Sequence, residues 1–383
     1  MKICVVVINS VWYDPRVRKQ IAEYLRLGHE VRVVGYRCNR YEEDKVAMIP
    51  APTKIVHVDR YQGKQRSPFK KLHREHLRNV AVTEAIIETG ADVIHANDYD
   101  ALVPAYAAAK KLGCALIYDS HEIFMENDFA RRLPAPLVKY MTWNEKRICR
   151  RVDQMVCVSH AAAKYFVKKY GIAEPMVVTN CIPLRELPRT EEKHEGFEVL
   201  NHGQFYEGRG YELMIDSAPL LKELPNVRLA LRGFGRTEEQ LHKRAEDLKA
   251  DNVVFYPKVL VQELVPEAAK SHVGVAVTEP ICLNFRLSVS NKLFEYAAAG
   301  LPVILSDIPE HRYLNEKYEF GLILKENTPQ AFAQAVASLY ENKALYNRLA
   351  NNALKLTREV HWEREFQRLI QREKELVHEK KRG

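Results

Sequence analysis

The chain has 383 residues, 46% of them hydrophobic and 28% charged, a length beyond one ordinary core and a composition that excludes intrinsic disorder. Its cysteines, Cys4, Cys38, Cys114, Cys149, Cys157, Cys181 and Cys282, are odd in number and never form a C-x-x-C pair, which argues against a disulfide scaffold and for reduced thiols in a cytoplasmic protein. The net charge of +8 is carried by the first half, with 29 Lys and Arg against 20 Asp and Glu in residues 1–183 and 29 against 30 thereafter, so the first half is expected to meet something anionic.

In chain order, Met1 and Lys2 lead into an apolar run at 3–8 that lacks a small-residue cleavage site and reads as a first strand rather than an export signal. No apolar run reaches the length that spans a bilayer. Asp14-Pro15-Arg16 follows, then a helical pattern at 17–27 and a strand at 31–34. Strand, helix and strand signals recur at 93–95, 101–112 and 115–118, with His121-Glu122 just beyond, and again at 154–158, 161–170 and 176–178. This alternation predicts a parallel α/β sheet. Pro183, Pro188 and the charged residues 189–195 mark a linker at 183–196.

Two basic stretches interrupt the first series. From Arg60 to Arg78 there are seven cations against Glu75 alone, with Tyr61, Phe69 and Leu72 between them; from Arg131 to Arg151 there are seven against Glu145, with Leu137, Tyr140, Met141 and Trp143. Such segments fit a solvated face, a groove for an anionic acceptor, or an anionic membrane surface, where each cation contributes on the order of 1 kcal/mol. No nucleic-acid motif accompanies them, so no nucleic-acid partner is expected.

A second α/β series occupies 197–201, 227–231, 253–255, 273–277, 302–305 and 322–324, so two Rossmann-like halves share the chain. The domains are expected at 1–183 and 196–357. The charged helical pattern within 358–383 is expected to cross back to the first domain.

In doubly wound sheets, ligands bind at the carboxyl ends of strands, where free backbone N–H groups meet phosphate. Three segments of the second half fit. Gly203, Gly208, Arg209 and Gly210 combine close backbone approach with a cation, although a plain turn with a surface arginine fits too. Gly233-Phe234-Gly235 follows a strand but lacks the third glycine of a dinucleotide fingerprint. Between 288 and 304, Ser290 or Asn291 can cap a helix whose start would hold phosphate, Lys292 adds charge, and Glu295 one turn on can accept from ribose hydroxyls. An ordinary capped helix ending at Gly300 explains the cap but not the clustering of Asn, Lys and Glu.

These landmarks run in order with Gly28-His29-Glu30-Val31, Asp119-Ser120-His121-Glu122, Val158-Ser159, Asn180 and Ser306-Asp307. Together they resemble family-4 glycosyltransferases, the group 1 family of retaining GT-B enzymes, over about residues 1–370. The segment at 288–304 is similar to a branch whose donor motif reads S-x-S-N-K-L-F-E-Y. The resemblance implies a GT-B fold of two Rossmann-like domains facing a cleft, and transfer of a sugar from a nucleotide-sugar to an acceptor. That acceptor would be a glycan or lipid-linked intermediate of cell-surface polysaccharide or glycolipid assembly. It makes Glu295 the ribose-binding carboxylate, Arg209 and Lys292 the cations on the diphosphate, and Gly203, Gly210, Gly233, Gly235, Ser290 and Asn291 further donor contacts. It likens His121 to the N-domain histidine at the reaction centre, an imidazole suited to proton traffic near neutral pH, and leaves Arg16 and Glu122 on the acceptor side.

Two positions depart from the family pattern. Leu287 stands where a first glutamate is usual and Gln204 where a second cation is, with Asn284, Arg286 or Ser288 as substitutes for the missing carboxylate. No Asp-x-Asp pair sits in a donor context, so no metal and no other cofactor is expected. The departures keep an alternative open, a catalytically inactive nucleotide-sugar-binding or scaffold protein of the same fold. A non-hydrolysing sugar-nucleotide epimerase would need carboxylates and histidines grouped around one cleft, which the sequence does not offer.

Overall fold

Parallel strands need long crossovers, and β-branched runs separated by amphipathic helices supply them. A computed structural model of the chain describes residues 1–8, 11, 14–36, 49–56, 68–187 and 192–382, with 68–72 known as backbone only. Its contacts group the chain into two units, Met1–Val178 with Glu365–Gly383, and Thr179–Arg364.

The first unit is built on a seven-stranded parallel sheet of β1 (Lys2–Val7), β2 (Glu30–Tyr36), β3 (Thr53–Val56), β4 (Val93–Asn97), β5 (Ala115–Ser120), β6 (Gln154–Cys157) and β7 (Met176–Val177). The order β3-β2-β1-β4-β5-β6-β7 reverses between β1 and β4, and in doubly wound sheets that switch point is where a crevice opens at the strand ends. All five residues of β4 are buried, as expected of a central parallel strand covered on both faces. The last helix, Trp362–Arg382, joins this unit from Glu365 onward, with Phe366, Leu369, Ile370 and Glu373 buried and the Phe366 ring 4.9 Å from that of Tyr24.

The second unit carries a six-stranded parallel sheet of β8 (Phe197–Gln204), β9 (Val227–Phe234), β10 (Val253–Tyr256), β11 (Val273–Ala276), β12 (Val303–Ser306) and β13 (Gly321–Leu324), in the order β10-β9-β8-β11-β12-β13. Its switch point lies between β8 and β11. Helix Asn291–Ala298 crosses from β11 to β12 and packs Tyr296 flat on the strand at Gly274, where an added Cβ would lie 2.2 Å from the ring.

β3 and the helix Pro68–Ile87 are among the elements not expected from the sequence. β3 is only four residues long, follows Pro50 and Pro52, and sits at the sheet edge, so it shows neither the length nor the apolar run of a buried strand. The basic stretch opening at Arg60 lies outside the described residues up to residue 67; the remainder belongs to the helix Pro68–Ile87. Of the expected linker, residues 188–191 also lie outside the described residues.

Candidate functional site

In the second unit, three of the expected donor residues meet at the end of β8. The helix Asn291–Ala298 places Lys292 and Glu295 three residues apart on one face. The Lys292 ammonium donates to Asn201 Oδ1 at 2.7 Å and to Tyr211 Oη at 3.2 Å, and lies 4.6 Å above the Tyr211 ring. Burial, then the neighbouring Arg209 charge, pushes the Lys292 pKa down to about 7, with Glu295 opposing. Asn201 also donates from Nδ2 to the Arg209 carbonyl at 3.1 Å, so one buried amide ties the lysine to the arginine loop. The Arg209 guanidinium lies 4.3 Å above the Phe285 ring, a stack that orients the planar fork.

Glu295 Oε2 lies 2.7 Å from His202 Nε2, and the His202 backbone N–H donates to Tyr296 Oη at 2.9 Å. Ser290 takes the N-cap position, with φ −75° and ψ 131°, but makes no side-chain cap bond, which corrects the expected capping role. Asn291 is exposed at the first helical position.

The glycines divide. At Gly203, φ is +128° and an added Cβ would meet Lys292 Cε at 3.2 Å, so glycine there makes room for the lysine stem. At Gly233, φ is +153° and a Cβ would fall 1.8 Å from the Gly203 carbonyl oxygen, because β8 and β9 pair there. Close strand approach therefore accounts for Gly233, and Gly235 packs likewise on the Phe205 backbone; a phosphate contact is not needed to explain either. Gly210 is the N-cap of helix Tyr211–Ser217.

Leu287 ends the helix Leu283–Leu287. Of the residues considered as replacements for a carboxylate there, Asn284 is buried, Arg286 is exposed and Ser288 is half-buried, its backbone N–H donating to the Asn284 carbonyl at 2.9 Å. Gln204 is exposed at the end of β8.

In the first unit, the ends of β4 and β5 bring Asn97 opposite Asp119, with His121 following β5. The His121 ring lies 3.0 Å from Asn97 Oδ1 through Nε2, and 3.3 Å from Asp98 and 3.9 Å from Asp14 through Nδ1. Asp98 holds its place at φ +65°, a left-handed conformation that Asp tolerates better than most side chains. Burial works against a charged ring, but Asp98 and then Asp119 outweigh it and raise the His121 pKa to about 10. His121 is thus a cation at neutral pH and a hydrogen-bond donor, not the neutral proton acceptor that its ordinary pKa suggests. Asp14, Asp98 and His121 also offer ligand atoms within 4.8 Å of one another, the one group of metal-ligand spacing among the described residues; there the imidazolium itself offsets the carboxylates.

Arg16 proves not to be a surface cation for an acceptor. It is 2% exposed, donates from Nε and Nη2 to the two Asp119 oxygens at 2.9 Å each, and donates from Nη1 to the Val178 carbonyl at 2.9 Å. Burial alone would raise the Asp119 pKa, yet Arg16, then His121 and His95, hold it well below the usual carboxylate range. Behind them, His95 Nδ1 lies 2.8 Å from Tyr24 Oη, which donates to Glu373 of the last helix at 2.5 Å. Asp14 caps the helix Pro15–Arg26 by accepting from the Arg16 and Val17 backbone N–H groups. Glu122 accepts from Asn127 Nδ2 at 2.6 Å, and burial followed by the Asp98 charge raises its pKa.

The second basic stretch forms the surface of helix Ala135–Cys149. Tyr140 and Trp143 are each 57% exposed with ring centroids 6.1 Å apart, beside exposed Leu137. The Arg147 guanidinium covers the Trp143 ring at 5.4 Å, and Arg131, Arg132, Lys139, Arg150 and Arg151 are exposed nearby in sequence. Among the described residues no helix is long and apolar enough to cross a membrane.

Two family models meet end to end along this chain, Glycosyltransferase Family 4 over residues 16–186 and Glycosyl transferases group 1 over residues 185–356. The chain belongs to the family 4, group 1 glycosyltransferases. LpsE of Rhizobium meliloti, a lipopolysaccharide core biosynthesis glycosyltransferase, is 27% identical over 154 residues, which are 40% of this chain and 42% of that relative; the match thus spans about two fifths of the relative's length. Sucrose-phosphate synthase from Thermosynechococcus elongatus superposes with a TM-score of 0.79 at 14% identity, covering 99% of each chain. HepE from Anabaena, solved in complex with UDP, gives 0.75 at 16% identity over 97% of this chain and 99% of that one. At such identities the likeness is one of fold, and the GT-B architecture expected from the sequence is the one found.

Sequence reasoning about this glycosyltransferase passed over Asn201, His202, Tyr211 and Phe285 in the second unit and Asn97 and Asp98 in the first. One signal was available for the first pair: Asn-His interrupts the buried part of a strand that begins Phe-Glu-Val-Leu, and buried polar side chains at a strand end need partners.

Proposed function

We propose that this protein is a retaining glycosyltransferase that moves a hexosyl or N-acetylhexosaminyl group from a nucleotide-sugar to an acceptor hydroxyl. The observation that carries the reading is the gathering of Lys292, the Arg209 loop and Glu295 around the end of β8, joined through Asn201 and His202. Two cations suit a diphosphate and a carboxylate suits ribose hydroxyls. In a front-face reaction the leaving diphosphate, stabilised by Arg209 and Lys292, takes the acceptor proton as the new glycosidic bond forms on the same face. The positive charge supplied by these side chains makes the reading metal-independent and free of other cofactors. His121, a fixed cation, is assigned to holding a sugar hydroxyl or developing negative charge rather than to proton abstraction, with Glu122 beside it on the acceptor side.

The acceptor is read as a glycan or lipid-linked intermediate of cell-surface polysaccharide or glycolipid assembly, in line with the lipopolysaccharide role of the Rhizobium relative. The exposed Tyr140 and Trp143 among cations support peripheral docking at an anionic membrane, and the reduced cysteines a cytoplasmic location. A thermal-shift screen against UDP, GDP, ADP, CMP and their common sugars, without added metal, tests the donor site. Stabilisation by one nucleotide together with slow hydrolysis of its sugar conjugate is expected, unaffected by EDTA. Stabilisation without any hydrolysis or transfer would instead favour an inactive donor-binding scaffold, the reading that Leu287 and Gln204 keep alive. No stabilisation by any nucleotide would refute the donor site itself.

A further inference from the structure

His202 is 1% exposed near the end of β8, a strand in which Glu198 and Asn201 are buried polar residues as well. Its Nε2 pairs with Glu295 Oε2 at 2.7 Å, and its ring lies 4.6 Å from the Tyr296 ring at an interplanar angle of 33°. Its Nδ1 is buried and meets no hydrogen-bond partner among the described residues. A buried polar nitrogen left in this state is destabilising, a penalty that a phenylalanine or leucine at the same place would avoid. The ring's single polar tie is therefore the feature that explains a histidine here. That tie ends on a carboxylate whose side chain is still 17% exposed and within reach of a ligand.

We propose that His202 is the positioning residue of nucleoside recognition: by donating its Nε2–H to one oxygen of Glu295, it fixes the carboxylate so that it accepts from the vicinal ribose hydroxyls. The inference rests on the donor-site reading above. It assigns to His202 not affinity in general but discrimination between ribose and deoxyribose.

The test is calorimetric titration of the full chain with UDP and 2′-deoxy-UDP, or with the GDP or ADP pair if UDP gives no heat. Three variants are compared, each checked by thermal melting. His202→Asn reaches only the Nδ1 position and loses the tie. His202→Phe keeps the ring contact with Tyr296 and loses it as well. His202→Gln carries an amide N–H at about the reach of Nε2 and restores it. The wild type should prefer the ribonucleotide about tenfold, the worth of one hydrogen bond to a charged group. In the Asn and Phe variants the preference should fall to twofold or less, the ribonucleotide losing more affinity than the deoxynucleotide, which keeps only the 3′-hydroxyl, and the Gln variant should recover most of it. A merely structural role would weaken both ligands equally, so an unchanged ratio in the Phe or Asn variant overturns the inference, as does a wild type without preference. If no nucleoside diphosphate binds the wild type, the donor-site reading fails first and the inference with it.

Discussion

Lys292 offers the sharpest quantitative consequence of the donor geometry. Burial and Arg209 bring its pKa down to about 7 in the free protein, whereas a diphosphate beside the ammonium restores the charged form. Between pH 7 and the ordinary lysine range the free protein thus holds fewer protons than the complex, and binding takes protons up. At pH 8 a group of pKa about 7 is roughly nine-tenths neutral, so binding should consume about 0.9 proton, and affinity should fall about fivefold from pH 7 to pH 8. Below pH 6.5 the lysine is already charged and both effects fade. Calorimetry of a nucleotide-sugar in phosphate and in Tris, whose ionisation heats differ, measures the proton count directly. The diphosphate of a nucleotide-sugar has no ionisation of its own near pH 8, so the uptake belongs to the protein. Lys292→Arg keeps the charge at every pH tested and should abolish the uptake. Uptake near zero in the wild type, or the same uptake in Lys292→Arg, would refute the assignment.

Three further outcomes follow from the first unit. His121, raised to about 10 from its ordinary 6.5, should show no ring titration by NMR between pH 6 and 8; Asp98→Asn, which tolerates the left-handed backbone at that position, should bring the titration down toward neutrality. Because the folded pKa is the higher one, the stabilisation from the His121 charge is complete below pH 6.5 and is lost as the pH climbs through 10, so urea stability of the wild type should decline across that window and that of Asp98→Asn at lower pH. Arg16→Met leaves Asp119, fully buried, without its bidentate partner, and should cost about 3–5 kcal/mol in urea unfolding, whereas a surface arginine would cost almost nothing. Replacing Tyr140 and Trp143 by Ser removes the exposed apolar ridge of helix Ala135–Cys149 while keeping its cations; co-sedimentation with phosphatidylglycerol vesicles should drop severalfold, and unchanged sedimentation would leave only electrostatics or no docking at all.

Most of this molecule's scaffold was legible because parallel strands covered on both faces advertise themselves as apolar β-branched runs, and the strand at 3–8 or the one at 93–95 needs no partner to be recognised. The donor helix was legible for a different reason: Lys292 and Glu295 are three apart in sequence, so one helical turn is enough to place them together. What stayed hidden depends on residues distant in sequence. Arg16 looked like a substrate cation after a strand, but its charge is absorbed by Asp119, 103 residues away; His121 looked like a neutral-pH base, yet its ionisation is set first by Asp98, 23 residues away, and then by Asp119 on the strand that leads into it. Gly233 looked like a phosphate loop because glycine patterns cannot tell a ligand's approach from that of a neighbouring strand, and here the neighbour is the Gly203 carbonyl. The same long-range dependence makes Asn201 and His202 informative. A sheet tolerates a buried amide and a buried imidazole side by side only where something pairs with them, and at the end of β8 what pairs with them is Lys292 and Glu295. The polar break in that strand and the charged turn of the helix 91 to 93 residues later are therefore two halves of one arrangement, and exchanging either half for apolar side chains takes a buried hydrogen bond from the other.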